Sequence, residues 1–176
     1  MKKENLLKMV LSGMFLALAY VLPFLTVQDP SLGQVFCPMH IPVLLCGFIC
    51  GWHWGLAVGF IAPLLRSFTL GMPVMFPAAV CMAFELAVYG LTAGILHKTF
   101  PNKKAYIYLS LLIAMLLGRI VWGTAMFICM QMSGGAFTFA AFIAGAFTNA
   151  IPGIIVQIVL IPVLVMLLEN SKIIKL

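Results

Sequence analysis

The chain has 176 residues, of which 64% are hydrophobic and only 8% charged, with a formal net charge of +6. A soluble domain carries roughly 25% charged residues, so the solvent for this chain is lipid. Six membrane helices of about 20 residues use about 120 positions and leave loops and tails, which excludes a built-in nucleotide motor, a large extracellular domain and a fused soluble catalytic domain. The ten Lys and Arg residues are spread along the chain, so the positive charge signals topology and not a nucleic-acid partner.

In chain order, the first apolar run covers Leu6 to Thr26 behind the basic residues Lys2, Lys3 and Lys8. The small-residue site Ala17-Leu18-Ala19 lies inside that run, which also exceeds the roughly 7–15 residues of a secretory signal core, so the spacing predicts a retained first helix. Val27 to Met39 carries Gln28, Asp29, Pro30, Gly33, Gln34 and Pro38 and reads as a loop. Ile41 to Gly51 and the following run to Leu70 flank Gly51-Trp52-His53-Trp54-Gly55. Two short or tilted helices and one long interrupted helix both fit; the glycines bracketing aromatic residues favour two.

Val74 to Leu96 follows the Gly71-Met72-Pro73 break and is long enough to span. A basic loop with Lys98, Lys103 and Lys104 comes next, then Ala105 to Gln131 as the fifth helix, a Ser133-Gly134-Gly135 turn, and Phe139 to Leu168 as the sixth, with Pro152 and Pro162 inside it as candidate kinks. The expected fold is all-α: an integral membrane protein of six transmembrane helices, with residues 1–176 forming a single membrane domain. With six spans, every lysine falls on the side of the two termini, which the positive-inside rule makes cytoplasmic.

Topology leaves Arg66, Glu85 and Arg119 unexplained. Ionised groups at membrane depth are costly and mark sites or pathways. Together with Asn149, Gln157 and His40 they are expected to converge in an outward-facing cavity under residues Gln34 to Met39. In one reading Glu85 and Arg119 form a closed pair locking two helices while Arg66 snorkels to the headgroups, and recognition falls to neutral donors such as Asn149 and to stacking by Trp122, Phe36 or Tyr89. In the other, all three charges line the cavity, sum to +1 and favour a carboxylate or an electron-rich heterocycle. Both readings stand on the sequence.

His40, Cys37 and Met39 are soft ligands within four residues, but the further ligands of a metal site are missing, so a loop-end histidine contacting substrate is expected and no metal or cofactor. Cys46 and Cys50, four apart, read as packing residues. The five cysteines form no disulfide framework. Gly13 and Ala17 leave a shallow groove on the first helix where another helix can approach. A membrane enzyme ranks lowest: the acids number four, with no HExxH and no G-x-x-x-x-G-K-[ST], and no catalytic residue is expected. A stand-alone secondary transporter with Glu85 as its proton-linked carboxylate is the alternative to a binding subunit.

The runs Pro38-Met39-His40-Ile41-Pro42-Val43-Leu44-Leu45-Cys46-Gly47-Phe48, Gly71-Met72-Pro73, Glu85-Leu86-Ala87-Val88-Tyr89-Gly90, Gly118-Arg119-Ile120-Val121-Trp122-Gly123 and Ile151-Pro152-Gly153-Ile154 resemble the substrate-binding S components of energy-coupling factor (ECF) vitamin transporters. The resemblance covers nearly the whole chain. It implies a subunit of the bacterial plasma membrane that captures a small water-soluble vitamin or precursor from outside. Such a subunit associates with a transmembrane coupling protein and two cytoplasmic ATPases, and topples in the membrane to release its cargo. The local pattern is similar to members proposed for hydroxymethylpyrimidine, pyridoxine-type or pantothenate uptake. The resemblance carries His40, Glu85, Arg119, Trp122 and Asn149 forward as site candidates, beside Gln34, Phe36 and Arg66. It makes Gly13 and Ala17 the coupling-protein face, although this family commonly has two alanines there.

Overall fold

The computed structural model describes residues 3–26, 35–101 and 104–170. All regular structure among them is helical. The chain runs through α1 (Lys3–Val21), a 3-10 turn (Leu22–Thr26), α2 (His40–Cys50), α3 (Trp52–Leu70), a π-helical turn (Met75–Ala79), α4 (Val80–Thr99), α5 (Lys104–Met132), α6 (Phe139–Ile143), a second π-helical turn (Ala144–Thr148) and α7 (Ile151–Asn170). Of the segment expected to cover the cavity, Gln34 to Met39, only Gln34 lies outside the described residues, as do Lys2, Lys103, Lys172 and Lys175.

The expectation of two helices either side of Gly51 holds. Gly51 sits at φ 93°, a left-handed conformation that a Cβ disfavours, and it separates α2 from α3 with no intervening loop. Four segments are long and apolar enough to cross a membrane: Glu4–Phe24, Met75–Thr99, Lys104–Met132 and Ile151–Leu168. His40–Cys50 and Phe139–Thr148 are apolar but shorter. Exposed Leu, Ile, Val and Phe run the length of α1, α5 and α7, for example Val10, Leu112, Leu116, Ile155 and Val159. These faces suit acyl chains, and the protein is membrane-embedded.

The expected sixth helix is divided. Pro152 has no N–H to give to the carbonyl four residues back, and its ring would clash with that carbonyl in a continuous helix. The chain therefore turns at Asn149 and Ala150, with the Asn149 amide reaching back to the Ala144 carbonyl (2.9 Å) and the Ala150 amide to that of Phe147 (3.1 Å). Pro152 is left in the first turn of α7, where a missing N–H does no harm. Pro162 remains inside α7.

Packing centres on α2, in which every residue but Ile41 is buried. It touches α1, α3, α4 and α7, while α4 also packs broadly on α3 and α5. Lipid tails are as apolar as leucine, so helices gain little from burial alone and associate through close backbone approach. That approach is made at Gly47 of α2, Gly55 of α3 and Gly90 of α4. A Cβ on any of the three would run into the backbone of another. This junction fixes the mutual height of the three helices, and with it the level of His40 and Glu85 above it.

Candidate functional site

Three helices bring charge to one place. His40 is the first residue of α2, Glu85 lies one turn above Tyr89 on α4, and Arg119 lies on α5. Glu85 and Arg119 both sit near the middle of the Met75–Thr99 and Lys104–Met132 spans. All three are buried, at 3%, 2% and 5% exposure. Arg119 Nη1 stands 3.3 Å from Glu85 Oε1, and His40 Nε2 stands 3.5 Å from the same oxygen. These are ion-pair distances without hydrogen-bond geometry. Glu85 Oε1, Arg119 Nε and both ring nitrogens of His40 have no hydrogen-bond partner.

Two further residues complete the cluster. Tyr89 presents its ring to the His40 imidazole edge-on, with centroids 5.2 Å apart, and its buried hydroxyl has no hydrogen-bond partner. The ring fits because residue 118 is glycine: a Cβ there would lie inside it. Cys37 receives a hydrogen bond from Arg119 Nη2 to Sγ at 3.6 Å. It adopts φ 47°, a left-handed conformation uncommon for a residue with a side chain, and the His40 amide donates to its carbonyl (3.1 Å). The tight turn from Cys37 to His40 thus points a thiol at Arg119 and an imidazole at Glu85. Strained backbone of this kind is tolerated where the surroundings hold it, commonly at functional sites.

The remaining candidates are placed as follows. Arg66 does not join the cluster through any observed contact. Although buried, it donates from Nη1 to the Tyr20 carbonyl at 2.7 Å, and its guanidinium lies 5.0 Å from the centre of the Phe24 ring. Tyr20 and Thr69 share a hydroxyl–hydroxyl hydrogen bond of 3.1 Å beside it. Arg66 therefore ties the end of α1 to α3.

Trp122 is half-buried. It packs edge-on to Phe137 at 6.1 Å between ring centres and covers Gly145 of the second π-helical turn. Asn149 is exposed at the break before α7, and Phe36 is exposed as well. The backbone of Val35 and Phe36 lies against Gly153, so the segment leading into Cys37 rests on the start of α7. Gly13 and Ala17 are exposed on α1, with nothing within 4 Å of a Cβ at Gly13.

Among the described residues no three His, Cys, Asp or Glu side chains converge as metal ligands. Cys37 and His40 instead turn to Arg119 and Glu85. The sequence treated Cys37 only as a soft ligand beside His40; its position one turn before a buried histidine was the available signal for its link to the charge pair. The role of Gly118 had no signal along the chain, because the ring it admits belongs to α4.

An intramembrane acid, a cation, an imidazole and a phenol gathered at mid-span can bind a small polar molecule through several hydrogen bonds while keeping their own charges balanced. Neither a curated protein nor a solved structure matches the chain significantly. A family model described as "ECF transporter, substrate-specific component" matches residues 7–165, most of the chain. The chain belongs to the family of ECF transporter substrate-specific components.

Proposed function

We propose that this protein captures a small water-soluble vitamin or vitamin precursor, of hydroxymethylpyrimidine, pyridoxine or pantothenate type, for an ATP-driven importer. The observation that carries this reading is the buried His40–Glu85–Arg119 cluster at the mid-span of a chain in this family. His40, Glu85, Tyr89 and Arg119 supply the polar contacts. Trp122 on α5, Asn149 at the break before α7 and Phe36 in the segment seated on Gly153 complete the proposed set. The chain crosses the membrane six times as a single membrane domain, with both ends on the cytoplasmic side where the lysines gather.

The partners are a transmembrane coupling protein and a pair of ATPases. The face of α1 carrying Val10, Gly13, Met14, Ala17 and Val21 is exposed. Gly13 and Ala17 make it shallow enough for a second helix to seat against it. Support comes from the family and from the open space over Gly13.

Titrating the purified protein with a panel of B vitamins and their precursors, followed by uptake into liposomes with and without the coupling protein and ATPases, tests this reading. Saturable binding with uptake only in the presence of ATP and the partners is expected. Uptake by the chain alone, driven by a proton gradient and lost in Glu85→Gln, would instead make it a secondary transporter.

A further inference from the structure

Gln157 stands on the inward stripe of α7, in line with Gly153, Ile161 and Val165, all of them buried. Its side chain is 0% exposed, and neither Oε1 nor Nε2 has a hydrogen-bond partner. A buried amide with both ends unpaired weakens a fold, and a leucine at this position of an otherwise apolar helix would avoid that loss. The unpaired atoms of His40, Glu85, Tyr89 and Arg119 share the same condition. Contacts lead from the start of α7 to the cluster. Gly153 meets the backbone of Val35 and Phe36, the next residue Cys37 meets Arg119, and Arg119 and His40 meet Glu85. Gln157 lies one helical turn, about 6 Å, along α7 from Gly153.

The charges in this region cancel. Glu85 offsets Arg119, and Arg66, the other arginine of the chain, is committed to the Tyr20 carbonyl and the Phe24 ring. Neither arginine is therefore left over to receive a carboxylate. An anionic ligand would be stripped of water beside Glu85 without compensation. The region offers donors and acceptors instead. Arg119 Nε–H, the Gln157 amide NH2 and the Tyr89 hydroxyl donate, while Gln157 Oε1 and Glu85 Oε1 accept.

We infer that the bundle interior binds a net-uncharged heteroaromatic molecule carrying a donor beside an acceptor, as on the edge of an aminopyrimidine, and that the Gln157 amide reads that edge. This rests on the capture-subunit reading and narrows it to heterocycles over carboxylates. A side-chain amide, with one donor end and one acceptor end, matches such an edge as no charged residue does.

The test is calorimetric titration of the purified full-length chain with (4-amino-2-methylpyrimidin-5-yl)methanol, pyridoxine and pantothenate. One of the two uncharged heterocycles is expected to bind at least about 100-fold more tightly than pantothenate. Gln157→Leu is expected to weaken that binding about 10- to 100-fold, with a ligand-free melting temperature equal to or above that of the parent. If the leucine variant fails to fold, Gln157→Asn, which withdraws the amide by one methylene, takes its place with the same expected loss. Tighter binding of pantothenate, or unchanged heterocycle affinity in the folded Gln157 variant, overturns the inference while leaving the capture reading intact. Folded protein that binds neither these probes nor any vitamin in the wider panel overturns both.

Discussion

Arg119 Nη1 lies 3.3 Å from Glu85 Oε1, joining α5 to α4 across the buried middle of both helices. Each charge is tolerable at that depth only because the other is present. Removing one partner, in Glu85→Leu or Arg119→Leu, is expected to cost about 3 kcal/mol of stability by stranding the other charge. The double variant Glu85→Leu/Arg119→Leu should regain most of that loss yet bind no ligand. Thermal unfolding in detergent beside ligand titration reads both quantities. A double variant no more stable than the worse single one would show that the two residues do not act as a pair.

Gly118 admits the Tyr89 ring between α4 and α5. Gly118→Ala is expected to push the ring out of its place beside His40 and to destabilise by about 1–3 kcal/mol, as overpacking does. Ligand affinity should fall more than stability alone explains, because Tyr89 moves with the ring. Restoring room with Gly118→Ala/Tyr89→Leu should recover stability without recovering affinity. Unchanged affinity in Gly118→Ala would remove Tyr89 from the site.

Arg66 makes its observed contacts with the Tyr20 carbonyl and the Phe24 ring and none with the cluster. Arg66→Ala is expected to lose about 1.5–3 kcal/mol, the range for a hydrogen bond from a charged donor. Ligand affinity should stay within about twofold, since separate sites behave independently. A large drop in affinity with little change in melting temperature would instead place Arg66 at the ligand.

Gly90 and Gly13 separate packing from docking. A Cβ at Gly90 meets the backbone of Gly55, which cannot step aside, so Gly90→Ala is expected to reduce the yield of folded protein sharply. At Gly13 there is open space. Gly13→Leu should keep stability within about 0.5 kcal/mol of the parent and retain ligand binding, while uptake by the assembled importer is lost. Parallel loss of binding and uptake in Gly13→Leu would mean that this face is not reserved for the partner.

Much of the fold is legible along the chain. The apolar runs and their Gly and Pro breaks place α1 through α5 nearly as they stand, because a helix in lipid must satisfy its own backbone and ends where the sequence cannot continue it. The sixth run was legible only in part. Pro152 signalled a disturbance, but a kink and a complete break with a π-helical turn before it look alike in sequence.

The sequence by itself determined that the protein lives in a membrane, and that Arg66, Glu85 and Arg119 are the charges needing an explanation. It left two readings open, one closing Arg119 on Glu85 with Arg66 snorkelling to the headgroups, the other lining a cavity with all three charges. Only the tertiary structure separated them, giving Arg119 to Glu85 and Arg66 to a backbone carbonyl on α1. The physical reason is that a guanidinium reaches only a few ångströms, so its partner depends on the rotation and height of neighbouring helices. Those are set by contacts between distant residues, such as Gly47 and Gly55 with Gly90, and Gly118 with Tyr89.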